Sequence, residues 1–113
     1  MTIDKIIRTA LEEFGYACYH DVYTGEDETY FVFNYNVVPD AYSDDSPFYN
    51  RYLCQVHLFC PITLNTTSLA KRIKLALEDA GFTYPEQEDA SDVDSQHLVF
   101  EFEAVEFIER DEE

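Results

Sequence analysis

Arg51-Tyr-Leu-Cys-Gln-Val-His-Leu-Phe-Cys60, stopped by Pro61, constrains the fold more than any other stretch of the chain. Its even positions, Tyr52, Cys54, Val56, Leu58 and Cys60, are all apolar, and its odd positions include Arg51, Gln55 and His57. A period of two places the apolar set on one face of a strand. Pro61 has no N–H to donate to a ladder, so pairing is expected to end there. A strand pattern and a helix pattern lie on each side of this segment, which makes it the middle strand of an antiparallel sheet.

The flanking elements follow from the same periodicities. Ile3, Ile6, Ile7, Ala10, Leu11 and Phe14 recur at helical spacing behind Thr2 and Asp4, with Gly15 where a left-handed terminal residue belongs. The spacing predicts a helix over residues 3–14. Residues 17–23 and 29–36 read as strands separated by the turn Thr24-Gly-Glu-Asp-Glu28. Residues 37–48, with Pro39 and Pro47 among Asp40, Asp44 and Asp45, are expected to form a long acidic hairpin loop. Asn65-Thr-Thr-Ser68 offers helix caps before Leu69, Ile73, Ala76, Leu77 and Ala80, predicting a second helix over about 67–80. Phe82-Thr-Tyr84 is expected to be a short strand, 85–95 a turn region, 96–107 the last strand and 108–113 a charged tail. The expectation is one α+β domain over 1–113. It has a mostly antiparallel sheet in the order helix-strand-strand-strand-helix-strand-strand, with both helices on one sheet face. The other face would carry Arg51, Gln55, His57, Glu101 and Glu103 among several large apolar groups, a mixture that invites a partner or self-association.

Composition narrows the function. At 113 residues the chain suits a single core, and 46% hydrophobic residues with nine Phe and nine Tyr argue against disorder. The N-terminal stretch has neither the basic start nor the unbroken apolar core of a signal peptide, and no apolar run is long enough to span a bilayer, so the cytosol is the expected site of synthesis. Against 24 acidic residues stand only 7 basic ones, a net charge of −17, which repels nucleic acid and anionic membranes. Five of the 7 basic residues, Lys5, Arg8, Lys71, Arg72 and Lys74, lie on the two helices.

No stretch announces chemistry. Cys18 and His20 share a strand face beside Asp21, but His57 lies at odd spacing from Cys54 and Cys60, on the opposite face of its strand, and zinc sites want four ligands in recognisable pairs. His97 reads as a surface or turn residue. The three cysteines read as small apolar residues, since their odd count and spacing form no disulfide framework. Gly15, Gly25 and Gly81 are isolated, so no phosphate-cradling loop exists, and there is no nucleophile elbow. The expectation is no catalytic residue, no metal, no cofactor and no enzyme.

Ile3–Gly15, Tyr19-His20 with Tyr23-Thr-Gly25, Tyr30-Phe-Val-Phe-Asn-Tyr35, Tyr52-Leu-Cys-Gln-Val-His-Leu-Phe59, Ala80-Gly-Phe82 and Gln96-His-Leu-Val-Phe-Glu-Phe102 together span nearly the whole chain. In that order they resemble the tail-completion or tail-terminator proteins of long-tailed phages and prophages of Gram-positive bacteria. Related head–tail joining and minor capsid proteins use similar small domains. The resemblance implies a virion protein, made in the host cytoplasm. On that resemblance its subunits, commonly six, would assemble as a ring at the head-proximal end of the tail, stop tube growth and join the head. Its implied partners are its own copies, the major tail tube protein and head-connector proteins, with DNA only passing through the lumen and no membrane contact. An acidic lumen suits that passage, because cationic contacts would retain the duplex. Within this picture Asp40, Asp44 and Asp45, or the 86–94 region, would face the channel. Lys71, Arg72 and Lys74 would meet acidic groups of a neighbouring subunit. The alternative for so acidic a chain is a DNA mimic that occupies the basic cleft of a nucleic-acid-binding protein. That role needs carboxylates spaced like phosphates, whereas twelve of the 24 acids lie beyond residue 85.

Overall fold

The computed structural model describes residues 2–23, 25–43 and 46–107, of which 40–43, 46–49 and 105–107 by backbone only. The chain runs through α1 (Ile3–Leu11), which tightens into a 3-10 turn over Glu12–Phe14, β1 (Ala17–His20), β2 (Tyr30–Ser43), β3 (Ser46–Pro61), α2 (Thr67–Asp79), β4 (Glu86–Asp89) and β5 (Ser95–Phe107). The class is α+β, with a mixed five-stranded sheet in the order β1-β2-β3-β5-β4.

The predicted helices form where their caps and stripes lie. Thr2 accepts the Lys5 N–H on its hydroxyl at 3.2 Å, and Gly15 closes the first helix in the left-handed region at φ 76°, where a side chain would be strained. Asn65, through its side-chain oxygen, accepts the Thr67 N–H at 3.1 Å and opens the second. Ile7, Leu11, Ile73 and Leu77 are fully buried, and they cover the face of the sheet made by Phe31, Phe33, Val56, Leu58 and Phe100. Register aligns these rows, with Leu58 opposite both Phe31 and Leu98, and Val56 opposite both Phe33 and Phe100. Both helices therefore lie on one side of the sheet, which is the side the even positions of β3 face.

Three expectations are corrected. First, β1 pairs with β2 in parallel, Ala17 with Tyr30 through His20 with Phe33, so the first strands are not a meander. Asp21, at φ 71°, turns the chain out of β1. The connection to Tyr30 is long enough to run back along a strand of only four residues before β2 begins. Second, 37–43 and 46–48 are strand where a loop was expected: β2 and β3 stay paired from Tyr30–Phe59 to Ser43–Ser46. Pro39 is tolerated because its nitrogen points away from β3, where no ladder bond is lost. Third, Phe82–Tyr84 is not a strand. Phe82 is buried against Phe102, and the acidic segment Glu86–Asp89 forms the strand instead, pairing with Leu98–Glu101 as an edge with every side chain exposed. Of the acidic positions assigned to the loop, Asp40 pairs with Tyr49 in the ladder, and Asp44 and Asp45 lie outside the described residues, as does the tail 108–113.

Lengths decide the shape. Helices of 9 and 13 residues span about 14 and 20 Å, whereas strands of 14 and 16 residues span roughly 46 and 53 Å. The helix layer covers only part of the sheet. Beyond it, β2, β3 and the end of β5 continue as a three-stranded arm, and the longest dimension reaches 54 Å.

Phe33 is fully buried, and both the Arg8 guanidinium, 5.2 Å from the ring centroid, and the stacked His20 imidazole, at 4.8 Å, sit against it. Phe33→Ala is expected to lower unfolding free energy by about 3–5 kcal/mol. Urea denaturation checks this, with exposed Thr9→Ala expected to stay within about 0.5 kcal/mol of the parent.

Candidate interaction surface

The sheet face opposite the helices carries the odd positions of β3 and the even positions of β2, as their pairing requires. Along it runs a row of rings. Tyr19 meets Tyr23 edge-on at 5.0 Å, Tyr23 stacks on Tyr30 at 3.7 Å, Tyr30 on Phe59 at 4.9 Å, and Phe59 on His97 at 4.1 Å. The return segment after β1 supplies Tyr23. It is held by hydrogen bonds from the Tyr19 hydroxyl to the Asp27 carboxylate and from the Tyr23 hydroxyl to the Asp27 carbonyl, both at 3.1 Å. Gly25 leaves room for the Tyr19 hydroxyl, which a Cβ at that position would strike.

The row ends in a polar chain. The Gln55 amide N–H donates to the Glu101 carboxylate at 2.8 Å, which turns the Gln55 oxygen toward His57 Nε2 at 3.2 Å. With Nε2–H donating there, neutral His57 presents the Nδ1 lone pair to His97 Nε2–H, 2.8 Å away. Burial pushes the pKa of both imidazoles down, and for His57 the neighbouring His97 adds to the effect, so the pair is held neutral. Carboxylates border it: Glu101 opposes the shift at His57, and Asp89 and Asp92 oppose it at His97.

Beside this chain lies a trough of about 690 Å³, lined by Asn34, Asn36, Gln55, Glu86, Glu101 and Glu103 among others. Arg51 Nε stands 3.8 Å from Glu103. The trough is polar and acidic, and the ring row beside it is apolar, so the open face offers two textures to a partner.

The expected site residues fall elsewhere. Lys71 and Arg72 are exposed on α2, on the helix side of the molecule. Arg72 lies over the Phe14 ring at 5.1 Å and 3.8 Å from Glu13, while Lys74 lies over Tyr84 at 5.9 Å. In the 86–94 region, the Ser91 side chain and then its N–H hold the Asp89 carboxyl below its ordinary range, and the N–H groups of Asp94 and Ser95 do the same for Asp92. These acids build the β4–β5 turn. His97 is no surface turn residue but the end of the ring row, a position visible only once the β3–β5 register sets Phe59 opposite it.

The groups weighed for chemistry are separated. His20 Nδ1 faces Asp4 Oδ2 at 3.2 Å on the helix side, away from His57 and His97. No group of three metal-ligating side chains converges among the described residues. Cys18, Cys54 and Cys60 are free; burial raises the thiol pKa of Cys18 to about 11 and of Cys54 to about 12, and moves Cys60 in the same direction. Protonated thiols make poor nucleophiles. No helix is long and apolar enough to cross a membrane among the described residues.

No family model matches the chain, and no curated protein does. A solved structure of a protein designated only by a sequence identifier is similar over 99% of this chain and 100% of its own, at a TM-score of 0.59 and 13% identity. A likeness at that identity shows the α+β fold alone.

The neutral histidine pair sets a pH dependence. Because the folded-state pKa values lie below the unfolded value of about 6.5, the unfolded chain takes up protons first, and the pair's stability contribution is lost as pH falls below about 6.5 toward the folded values. A His57→Gln/His97→Gln variant is expected to lack this loss. Urea midpoints between pH 7.5 and pH 5 measure it, and parallel curves for the two proteins would contradict it.

Proposed function

We propose that the chain is a structural assembly subunit of the tail-completion type. It forms a ring, six subunits in the commonest arrangement, at the head-proximal end of a phage tail, where it stops tube growth and joins the head. Its partners are its own copies, the tail tube protein and the head connector, and it works in the virion without catalysing a reaction. The observation that carries this reading is the two-sidedness of the sheet: one face is covered by two helices, while the other holds a half-buried row of stacked rings beside an acidic trough. The stacked cross-strand pairs Tyr30–Phe59 and Phe59–His97 stabilise the sheet within one subunit, and the accessible part of these rings offers apolar area to an interface.

Charge supports the same role. A net of −17 keeps free subunits apart and leaves passing DNA unbound, and the cationic first half of α2 offers a neighbour's acidic trough a complement. The thiols, buried at Cys54 and Cys60 and half-buried at Cys18, are all pushed toward the protonated form, which fits a non-catalytic part.

Quantitative mass spectrometry of purified particles tests the reading. A few copies per particle against the major tail protein is the expected result. Absence from particles with abundance in the infected cell would overturn it and bring forward the acidic DNA mimic. Within the ring, charge reversal at Asp44 and Asp45 is expected to lower infectious titre without unfolding the chain, and an unchanged titre would remove that segment from the lumen.

A further inference from the structure

Among the described residues, no strand pairs with either outer edge of the three-stranded arm. On the outer side of β2 the Phe33 carbonyl accepts the Asp21 N–H at 2.9 Å, and β1 pairs no farther than Phe33. Backbone groups alternate sides along a strand, so the N–H and C=O groups of Tyr35 and Val37 point outward too, with no strand beside them among the described residues. Pro39 takes the next outward position and ends the row of donors. On the opposite side, Glu103 accepts the Thr83 N–H at 3.0 Å and donates its own N–H to the Thr83 hydroxyl at 2.9 Å. Alternation turns Val105 and Phe107 outward next, again beyond any strand.

The edges are not guarded alike. β4, the acidic edge of the sheet, reads Glu-Gln-Glu-Asp. Between Thr29 and Pro39, by contrast, no residue is charged, in a chain that is 27% charged. Proteins normally protect bare edges with charge, because an uncharged edge pairs with whatever strand arrives.

We infer that the outer edge of β2, at Tyr35 and Val37, takes the outer edge of β5, at Val105 and Phe107, of a second copy of this chain. The arm's sheet then continues from subunit to subunit. Two different edges on opposite sides of one arm make a heterologous contact, which propagates around a ring instead of stopping at a pair. Two β5 edges brought together would join two acidic runs, Glu-Phe-Glu-Ala-Val-Glu over 101–106, whereas the uncharged β2 edge accepts such a run without repulsion. Closure into a ring rests on the function proposed above; the pairing itself does not. Net charge opposes the contact, and about 1 M salt, which shortens the Debye length to about 3 Å, relieves that opposition.

The test uses the full chain, with sedimentation velocity and amide hydrogen exchange at low salt and at about 1 M salt. The expected result is association beyond a dimer at high salt, with exchange at Tyr35, Val37, Val105 and Phe107 slowed by about tenfold or more on assembly. Val37→Pro, which removes an outward N–H, is expected to stay monomeric with an unchanged urea midpoint, while Val37→Thr associates like the parent. If the proline lowers the midpoint, Val37→Glu replaces it; this variant keeps the N–H, adds charge to the edge and is expected to stay monomeric. A closed dimer as the end state, a chain monomeric throughout, assembly with these amides unprotected, or edge variants that assemble like the parent would each overturn the inference. Copies counted in particles whose edge amides stay unprotected would sink the pairing and leave the ring role standing. Pairing by a chain absent from particles would do the reverse.

Discussion

The dry layer between one sheet face and the two helices is the constraint on which everything else depends. Val56 and Leu58 sit at its centre, with Phe31, Phe33 and Phe100 beside them on the sheet and Ile7, Leu11, Ile73 and Leu77 above. Each such side chain, taken fully out of water, contributes about 1.5–3 kcal/mol, so this layer outweighs every surface ion pair in the molecule. It also uses up the helices. Nothing among the described elements remains to cover the second sheet face or the far half of β2 and β3, because the helices are short and the strands long.

That shortage explains the features that look costly in a solitary molecule. A half-buried row of rings and a sheet arm whose edges have no strand beside them among the described residues leave apolar area and backbone groups that the proposed assembly would cover. High negative charge works the other way, delaying association until salt, a template or a complementary surface offsets it. On the assembly role proposed above, that balance would keep subunits apart until a place in a larger structure is ready.

Much of this was legible in the sequence, and the parts that were not share a cause. The helices were visible because their apolar stripes and terminal glycines report on neighbours three and four residues away. The alternation in Arg51–Cys60 likewise revealed the buried face of β3. Pairing between distant strands leaves a weaker trace. A short connection containing Gly25 suggested a hairpin, although Asp21 turns the chain back into a parallel partner. Pro39 and its aspartate neighbours suggested a loop, because composition does not say which side of a strand a nitrogen faces. The acids of Glu86–Asp89 argued against a strand, yet an edge with all side chains in water tolerates them. His57 and His97 lie 40 residues apart and meet only through register.

The central claim is that the open face is covered when the chain is at work. Oxidative footprinting of Tyr23, Tyr30, Phe59 and His97, in the free chain and in the chain incorporated into particles, tests it most directly. The account predicts that these rings react in the free chain and are protected after incorporation, while exposed Tyr84, beyond the row, changes less. Equal labelling of the ring row in both states would contradict it.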